Sequence, residues 1–130
     1  DETPPVFNGL IVVDAISATQ LYVAWDEATD DTTPQASIVY DVYSAFASGQ
    51  QNFNTPVLTT PAGATNALLT GLEPDTLHYI VVRARDISGN QDSNTVEGIT
   101  ATLADTTTPT FDGIATAMGS SATSITVTWN

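Results

Sequence analysis

Short runs in which apolar and polar residues alternate follow one another along the chain, separated by segments rich in Gly, Pro, Asn, Asp and Ser. Alternation at every second residue is typical of strands with one buried face, and no segment shows a sustained helical period. The pattern therefore predicts an all-β sandwich of two sheets. Seven strands are expected, at Leu10–Val13, Leu21–Trp25, Ile38–Ser44, Val57–Thr60, Ala67–Thr70, Leu77–Asp86 and Thr95–Thr102.

The first 26 residues return at the end of the sequence, 104 positions later and without a gap. Ten of the 26 pairs are identical, among them Phe7 with Phe111 and Trp25 with Trp129. A period of this length is the size of one small domain and is too long for a solenoid repeat. We predict a complete domain at 1–104 and the first two strands of a second copy at 105–130.

Three stretches of the chain resemble the fibronectin type III family. Trp25 ends the second strand, where the family has its core tryptophan, and the run 72–86 (LEPDTLHYIVVRARD) is similar to the stretch leading into the family's sixth strand. The segment 86–90 and the opening Asp-Thr-x-x-Pro element at Asp105, with a variant at Asp1, resemble repeats of bacterial surface proteins. The resemblance implies an immunoglobulin-like, seven-stranded β-sandwich.

The sequence departs from the family at one position. The family has a tyrosine six residues after Leu72, with its hydroxyl bonded to the backbone of the preceding turn, and here that position is His78. Alternation places residues 78, 80, 82 and 84 on one face of the strand. We expect His78 to replace the tyrosine, with a ring nitrogen bonded to the backbone near Glu73 or Pro74. The alternative is a one-residue bulge that brings Tyr79 into this role.

The charge of the chain limits its partners. Fifteen acidic residues face only two cationic ones, Arg83 and Arg85, which gives a formal net charge of −13. This balance argues against nucleic acid and against anionic membrane surfaces, because both need basic residues. No apolar run is long enough for membrane insertion. Cysteine is absent, so the domain must be held by its core alone or by its core and a metal ion.

The residues offer no catalytic set, so we expect no enzyme activity, no catalytic residue and no cofactor other than a metal ion. The single histidine has no cysteine or serine-nucleophile motif to act with. Oxygen ligands are plentiful, because the loops after the second and sixth strands and the chain start should lie at one end of the fold. These donors suit Ca²⁺, and the alternative is a solvated acidic surface. The candidate calcium ligands are Asp1, Asp26, Asp30, Asp31, Asp86, Asn90 and Asp92.

Aromatic residues raise the question of a glycan ligand. Tyr22, Tyr43 and Tyr79 fall on strand faces opposite to the predicted core, where exposed rings could stack on sugars. More often such rings pack across strands or against a neighbouring repeat.

The repeat and the resemblance together predict a non-enzymatic structural spacer of a bacterial cell-surface or extracellular tandem-repeat protein or fibre. Its partners would be neighbouring copies of the same repeat or protomer. The alternatives are an adhesin that recognises protein or glycan through its acidic loops, and an accessory domain of a secreted hydrolase. Residues 105–130 either open the next repeat of a longer array or, if the chain ends there, must be completed by strands from another chain.

Overall fold

The computed structural model describes residues 1–111, 113–121 and 124–129, and for 114–121 and 124–129 it describes the backbone alone. None of the described residues forms a helix with the length and apolarity that a membrane span requires. One 3₁₀ turn occupies Gln35–Ser37. The strands are β1 (Val12–Ala15), β2 (Leu21–Ala24), β3 (Val39–Ala45), β4 (Leu58–Thr59), β5 (Asn66–Leu69), β6 (Leu77–Arg85), β7 (Gly98–Ala101), β8 (Ile114–Ser121) and β9 (Ser124–Trp129).

The first seven strands form two antiparallel sheets, which confirms the predicted seven-stranded sandwich. One sheet has the order β1-β2-β5 and the other the order β4-β3-β6-β7. The seventh strand, β7, is shorter than predicted, because a side-chain hydrogen bond takes the place of the next backbone hydrogen bond to β6. Asn94 donates from its side-chain amide to the carbonyl of Val82 at 2.9 Å, where β7 would otherwise continue along β6.

The core between the sheets consists of the alternating residues that the sequence pattern placed there. Each of β2, β3 and β6 buries every second side chain against the other sheet, because successive side chains of a strand point to opposite faces. The residues of these strands in the core cluster are Leu21, Val23, Tyr40, Val42, Ile80, Val82 and Ala84. Trp25, directly after β2, is 4% exposed and donates from its indole N–H to the carbonyl of Ala64 at 3.1 Å.

Tyr40 is the polar centre of this core. Its ring, fully buried, lies 5.3 Å from the ring of Phe7 and 5.2 Å from that of Trp25. Its hydroxyl accepts a 2.8 Å hydrogen bond from the backbone N–H of Ala28, in the loop after β2. Burial raises the pKa of Tyr40, and the bond from Ala28 offsets part of that effect. The tyrosine therefore ties the loop that carries Asp30 to the centre of the sandwich.

The outer face of the four-stranded sheet is also covered, which the sequence pattern did not predict. Arg85 binds the buried Asp41 through two hydrogen bonds of 2.8 and 3.1 Å. Burial raises the pKa of Asp41, but hydrogen bonds from Arg85 and Thr59 and the Arg85 charge outweigh it, so the pKa is lowered. Beside this pair, the guanidinium of Arg83 lies 3.5 Å from the centre of the Phe53 ring. Both cationic side chains of the chain are thus engaged on one face of β6.

The β8–β9 hairpin has the same register as the first hairpin of the chain. Val12 pairs with Ala24 and Val13 with Val23 in β1–β2. In β8–β9, Thr116 pairs with Thr128 and Ala117 with Val127, which are the same positions 104 residues later. The assignment of these strands to a second copy of the domain stays a prediction, which this register supports.

Replacing Tyr40 with Phe tests whether the buried hydroxyl holds the loop after β2. The substitution keeps the ring but leaves the buried Ala28 N–H without its acceptor, so we expect the free energy of unfolding to fall by about 1–3 kcal/mol. Urea titration followed by tryptophan fluorescence measures this. The matched control is Tyr22→Phe at a half-exposed ring of β2, which should change stability by less than about 0.5 kcal/mol. Equal effects of the two substitutions would contradict the role of Tyr40.

Candidate functional site

One end of the sandwich gathers three segments that are far apart in sequence, and we call it the upstream pole. It consists of residues 1–6, the loop 26–33 after β2 and the loop 86–92 after β6. Val6 and Thr29 join the first two segments through a pair of backbone hydrogen bonds of 2.7 and 3.0 Å. The side-chain amide of Asn90 joins the first and third by donating to the carbonyl of Asp1 at 3.2 Å. The predicted meeting of these loops is therefore observed.

Three carboxylates of the upstream pole converge on one point. One oxygen from each of Asp1, Asp30 and Asp86 lies within 4.8 Å of the other two. Asp30 holds its place because one of its oxygens accepts hydrogen bonds from the backbone N–H groups of Thr32 and Thr33, at 3.0 and 2.7 Å. Its other oxygen, Oδ1, is buried without a hydrogen-bond partner. This cluster has the hard oxygen donors that divalent cations prefer.

Asp86 accepts the most hydrogen bonds of the three, because the loop after β6 wraps around it. Its two oxygens accept hydrogen bonds of 2.8 Å from the backbone and side-chain nitrogens of Asn90. Burial acts to raise the pKa of Asp86, but it is outweighed by hydrogen bonds from Asn90 and from the backbone N–H groups of Ser88 and Gly89, so the pKa is lowered. The carboxylate therefore stays charged close to two other acidic groups.

The other predicted ligands lie outside this convergence point. Asp26 and Asp31 are exposed. Asn90 contributes its amide as a donor to the cluster. Asp92 is buried, and its carboxylate accepts hydrogen bonds from the backbone N–H of Ala84 and from Asn94. The loop 86–92 does not bring all of these side chains to one point, because the carboxylate of Asp92 is bonded to Ala84 of β6 and to Asn94.

At the opposite end, which we call the downstream pole, the structure corrects one expectation. His78 is 4% exposed and faces the core, and β6 pairs with β3 and β7 in a continuous register. The predicted bond to the backbone near Glu73 or Pro74 is wrong, because Nδ1 shares a 3.0 Å hydrogen bond with the hydroxyl of Ser44. The bulge at Tyr79 is wrong as well, since that residue keeps its place in the ladder.

Thr102 makes the turn contact that was expected of His78. Its hydroxyl donates to the carbonyl of Glu73 at 2.6 Å and accepts from the backbone N–H of Thr76 at 3.0 Å. Asp75, at the tip of this turn, has a φ of 49°, which a non-glycine residue adopts at a cost. A threonine one strand away thus anchors the turn, and no local sequence motif marks it.

The three tyrosines considered as sugar platforms do not form one surface. Tyr43 is 2% exposed, with its ring 5.0 Å from that of Phe53 and its hydroxyl accepting from the Gln91 amide at 2.8 Å. Tyr22 and Tyr79 are half-buried, and they lie on different sheets. The loop 46–56, which covers Tyr43, explains why alternation alone misplaced that ring at the surface.

No model of a known protein family matches the sequence. The chain is similar to Exoglucanase B of Cellulomonas fimi, with 31% identity over 118 residues that cover 88% of this chain and 10% of that protein. The chain thus spans about a tenth of the length of this relative.

Solved structures give the fold. The sixth fibronectin type III domain of human fibronectin type III domain containing protein 3 matches with a TM-score of 0.56 and 18% identity, over 83% of this chain and 89% of that one. The family 28 exopolygalacturonase of Yersinia enterocolitica matches with a TM-score of 0.56 and 16% identity, over 79% of this chain and 21% of the enzyme. With seven strands in the predicted two-sheet arrangement and Trp25 in the core, the chain carries a domain of the fibronectin type III fold.

Proposed function

We propose that this chain is a section of a non-catalytic, head-to-tail spacer in a bacterial extracellular or cell-surface protein. The observation that carries the proposal is the return of the first 26 residues after 104 positions, in a domain whose two chain ends lie at opposite poles. Each copy then receives the chain at its upstream pole and passes it on at its downstream pole, so that copies follow one another in a line.

The course of β6 supports this geometry. At one end of the strand, Leu77 pairs with Ala101, next to the point where the chain leaves the sandwich. At the other end, Arg85 leads into the loop that contacts Asp1. A strand of nine residues spans roughly 27 Å. One copy therefore advances the chain by about 30 Å, and residues 105–109, which correspond to residues 1–5 of the first copy, would lie at the upstream pole of the next copy.

Within this proposal, the whole protein is a secreted polysaccharide hydrolase, and this chain is a non-catalytic accessory part of it. The support is the 31% identity to a protein named as an exoglucanase, of which this chain covers only 10%. Catalysis would then reside in another domain, and these copies would set its distance from a neighbouring domain. Recognition of a protein or glycan by the acidic loops remains the alternative within the binding class.

Small-angle X-ray scattering tests the spacer proposal. We expect proteins of one, two and three direct repeats of residues 1–104 to increase in maximum dimension by about 30 Å for each copy. The control replaces residues 1–5 of the second and third copies with a Gly-Ser segment of equal length, which should lower the average radius of gyration of the three-copy protein because such linkers are flexible. Three copies with the radius of gyration of one compact globule of the same length would contradict the proposal.

We also propose that the upstream pole binds Ca²⁺ through Asp1, Asp30 and Asp86. The support is the convergence of three carboxylate oxygens within 4.8 Å, in a chain whose cationic side chains are engaged on the outer face of β6. Mutual repulsion of the carboxylates is relieved when a cation binds, so the ion would fix residues 1–6 to both loops. In a tandem array, this would stiffen the end that receives the preceding copy.

Thermal unfolding in 10 mM CaCl₂ and in chelator tests the calcium proposal. Extracellular modules bind Ca²⁺ with dissociation constants of about 10⁻⁴–10⁻³ M, so 10 mM should stabilise the folded state by about 1.4–2.7 kcal/mol. For a domain of this size, we expect the melting temperature to rise by at least about 5 °C. Asp30→Asn keeps an acceptor for Thr32 and Thr33 and should abolish the rise. Asp14→Asn, at the exposed position of β1, should retain it. An unchanged wild-type melting temperature would contradict the proposal.

A further inference from the structure

The repeat leaves no free linker between consecutive copies. Residue 105 has the position of residue 1, and in the first copy residues 1–6 belong to the body of the domain. Asn90 donates to the carbonyl of Asp1 at 3.2 Å, and Val6 pairs with Thr29. In the head-to-tail array proposed above, on which this inference rests, the upstream pole of one copy therefore begins at the residue that follows Ala104 of the copy before it.

Leu103 stands at the point where the chain leaves the domain. Its backbone N–H donates to the carbonyl of Ser17 at 3.1 Å, and its carbonyl accepts from the N–H of Asp75 at 3.1 Å. Turns on two sides therefore hold the main chain of Leu103, while its side chain is 49% exposed. Ile16, next to Ser17, is 52% exposed. Two large apolar side chains thus belong to the segments that surround the exit.

The loop after β6 presents an apolar side chain at the other pole. Ile87 lies in a tight turn, which is closed by a hydrogen bond of 3.2 Å from the N–H of Gly89 to the carbonyl of Asp86. Asn90, the residue after this turn, contacts Asp1, so the turn lies beside the start of the domain. Ile87 is 69% exposed, and its burial against another apolar surface would stabilise an array of copies.

The covalent link brings Leu103 of one copy close to Ile87 of the next. Consecutive Cα atoms are 3.8 Å apart, so the Cα of Leu103 lies at most about 7.6 Å from the Cα of the first residue of the next copy. In its own copy, that first residue is bonded to Asn90, three positions after Ile87. The link therefore gives the two side chains a high effective concentration, and their contact costs little additional freedom.

Charge opposes this contact and makes it depend on salt. The exposed Glu73 and Asp75 lie in the turn at the exit, and Asp86 and Asp1 lie beside Ile87. Like charges on the two sides repel each other over a Debye length that is about 30 Å at 0.01 M salt and about 3 Å at 1 M. Salt therefore weakens the repulsion and leaves the apolar contact in place.

We propose that the exit surface, defined by Leu103 and Ile16, is the docking site for the next copy of the domain, and that Ile87 of that copy packs against it. The chain itself selects this occupant, because the residue after Ala104 already belongs to the upstream pole of the next copy. The contact makes each junction stiff, and the stiffness increases with salt concentration.

NMR of a tandem protein tests the proposal. The full 130-residue chain is extended at its start by one further copy of residues 1–104, and ¹⁵N is introduced into one copy at a time by segmental ligation. We expect amide shifts, relative to the 130-residue chain alone, around Ser17, Asp75 and Leu103 of the first copy and at 86–90 of the second. These shifts should increase between about 0.01 M and about 1 M NaCl, as the repulsion is screened.

Matched substitutions assign the contact to its residues. Leu103→Ser in the first copy and Ile87→Ser in the second should each lower the ratio of docked to undocked junctions by at least about tenfold, because each removes an apolar side chain from the contact. The amide signals then return towards their positions in the single chain. The controls Ile99→Ser and Ile11→Ser, at residues that are 54% and 58% exposed outside the contact, should leave the shifts unchanged. All four positions are exposed, so these variants should keep the stability of the fold.

The proposal is overturned if the second copy has the same amide spectrum in the tandem protein and in the 130-residue chain at every salt concentration. Shifts that survive both Leu103→Ser and Ile87→Ser, or that diminish when salt is added, would overturn it as well. Small-angle scattering of the same tandem protein separates this failure from that of the spacer. An increase of about 30 Å for the added copy without these shifts means that the copies are jointed but still in line, whereas a compact tandem protein contradicts the spacer too.

Discussion

The buried side chain of Tyr40 connects the two sheets to the loops at the upstream pole. Its ring contacts Phe7 and Trp25, and its hydroxyl accepts from the backbone N–H of Ala28. Because that loop also carries Asp30, the position of the acidic cluster depends on a hydrogen bond made inside the core. Satisfying this one buried hydroxyl therefore orders a surface loop as well as the interior.

Much of the fold followed from alternation, and much of the site did not. Residues 78, 80, 82 and 84 face the core as predicted, because register along a strand is a local property. The burial of Tyr43 and the contacts of the two arginines on the outer face were not predicted. The loop 46–56 crosses that face, and the alternation of residues along the strands carries no information about the position of this loop. The contact of Thr102 with the turn at Glu73 depends on how the sheets are spaced, which no single segment encodes.

The upstream pole is acidic because both cationic side chains of the chain are engaged elsewhere. Arg83 and Arg85 are engaged on β6, where they contact Phe53 and Asp41, so they leave the carboxylates at the upstream pole uncompensated. The downstream pole combines apolar side chains and the buried His78 with the exposed carboxylates of Glu73 and Asp75. In a head-to-tail array, acidic groups would therefore lie on both sides of each junction, and a bound cation would moderate the repulsion between copies.

The central claim is that residues 1–104 are one complete module and that 105–130 belong to the next. Denaturant unfolding of residues 1–104, beside the full 130-residue chain, tests it most directly. The account predicts that the short chain folds and that its free energy of unfolding agrees with that of the first domain in the full chain within about 0.5 kcal/mol. A short chain that is unfolded, or less stable by more than about 2 kcal/mol, would show that 105–130 complete the first domain and would contradict the claim.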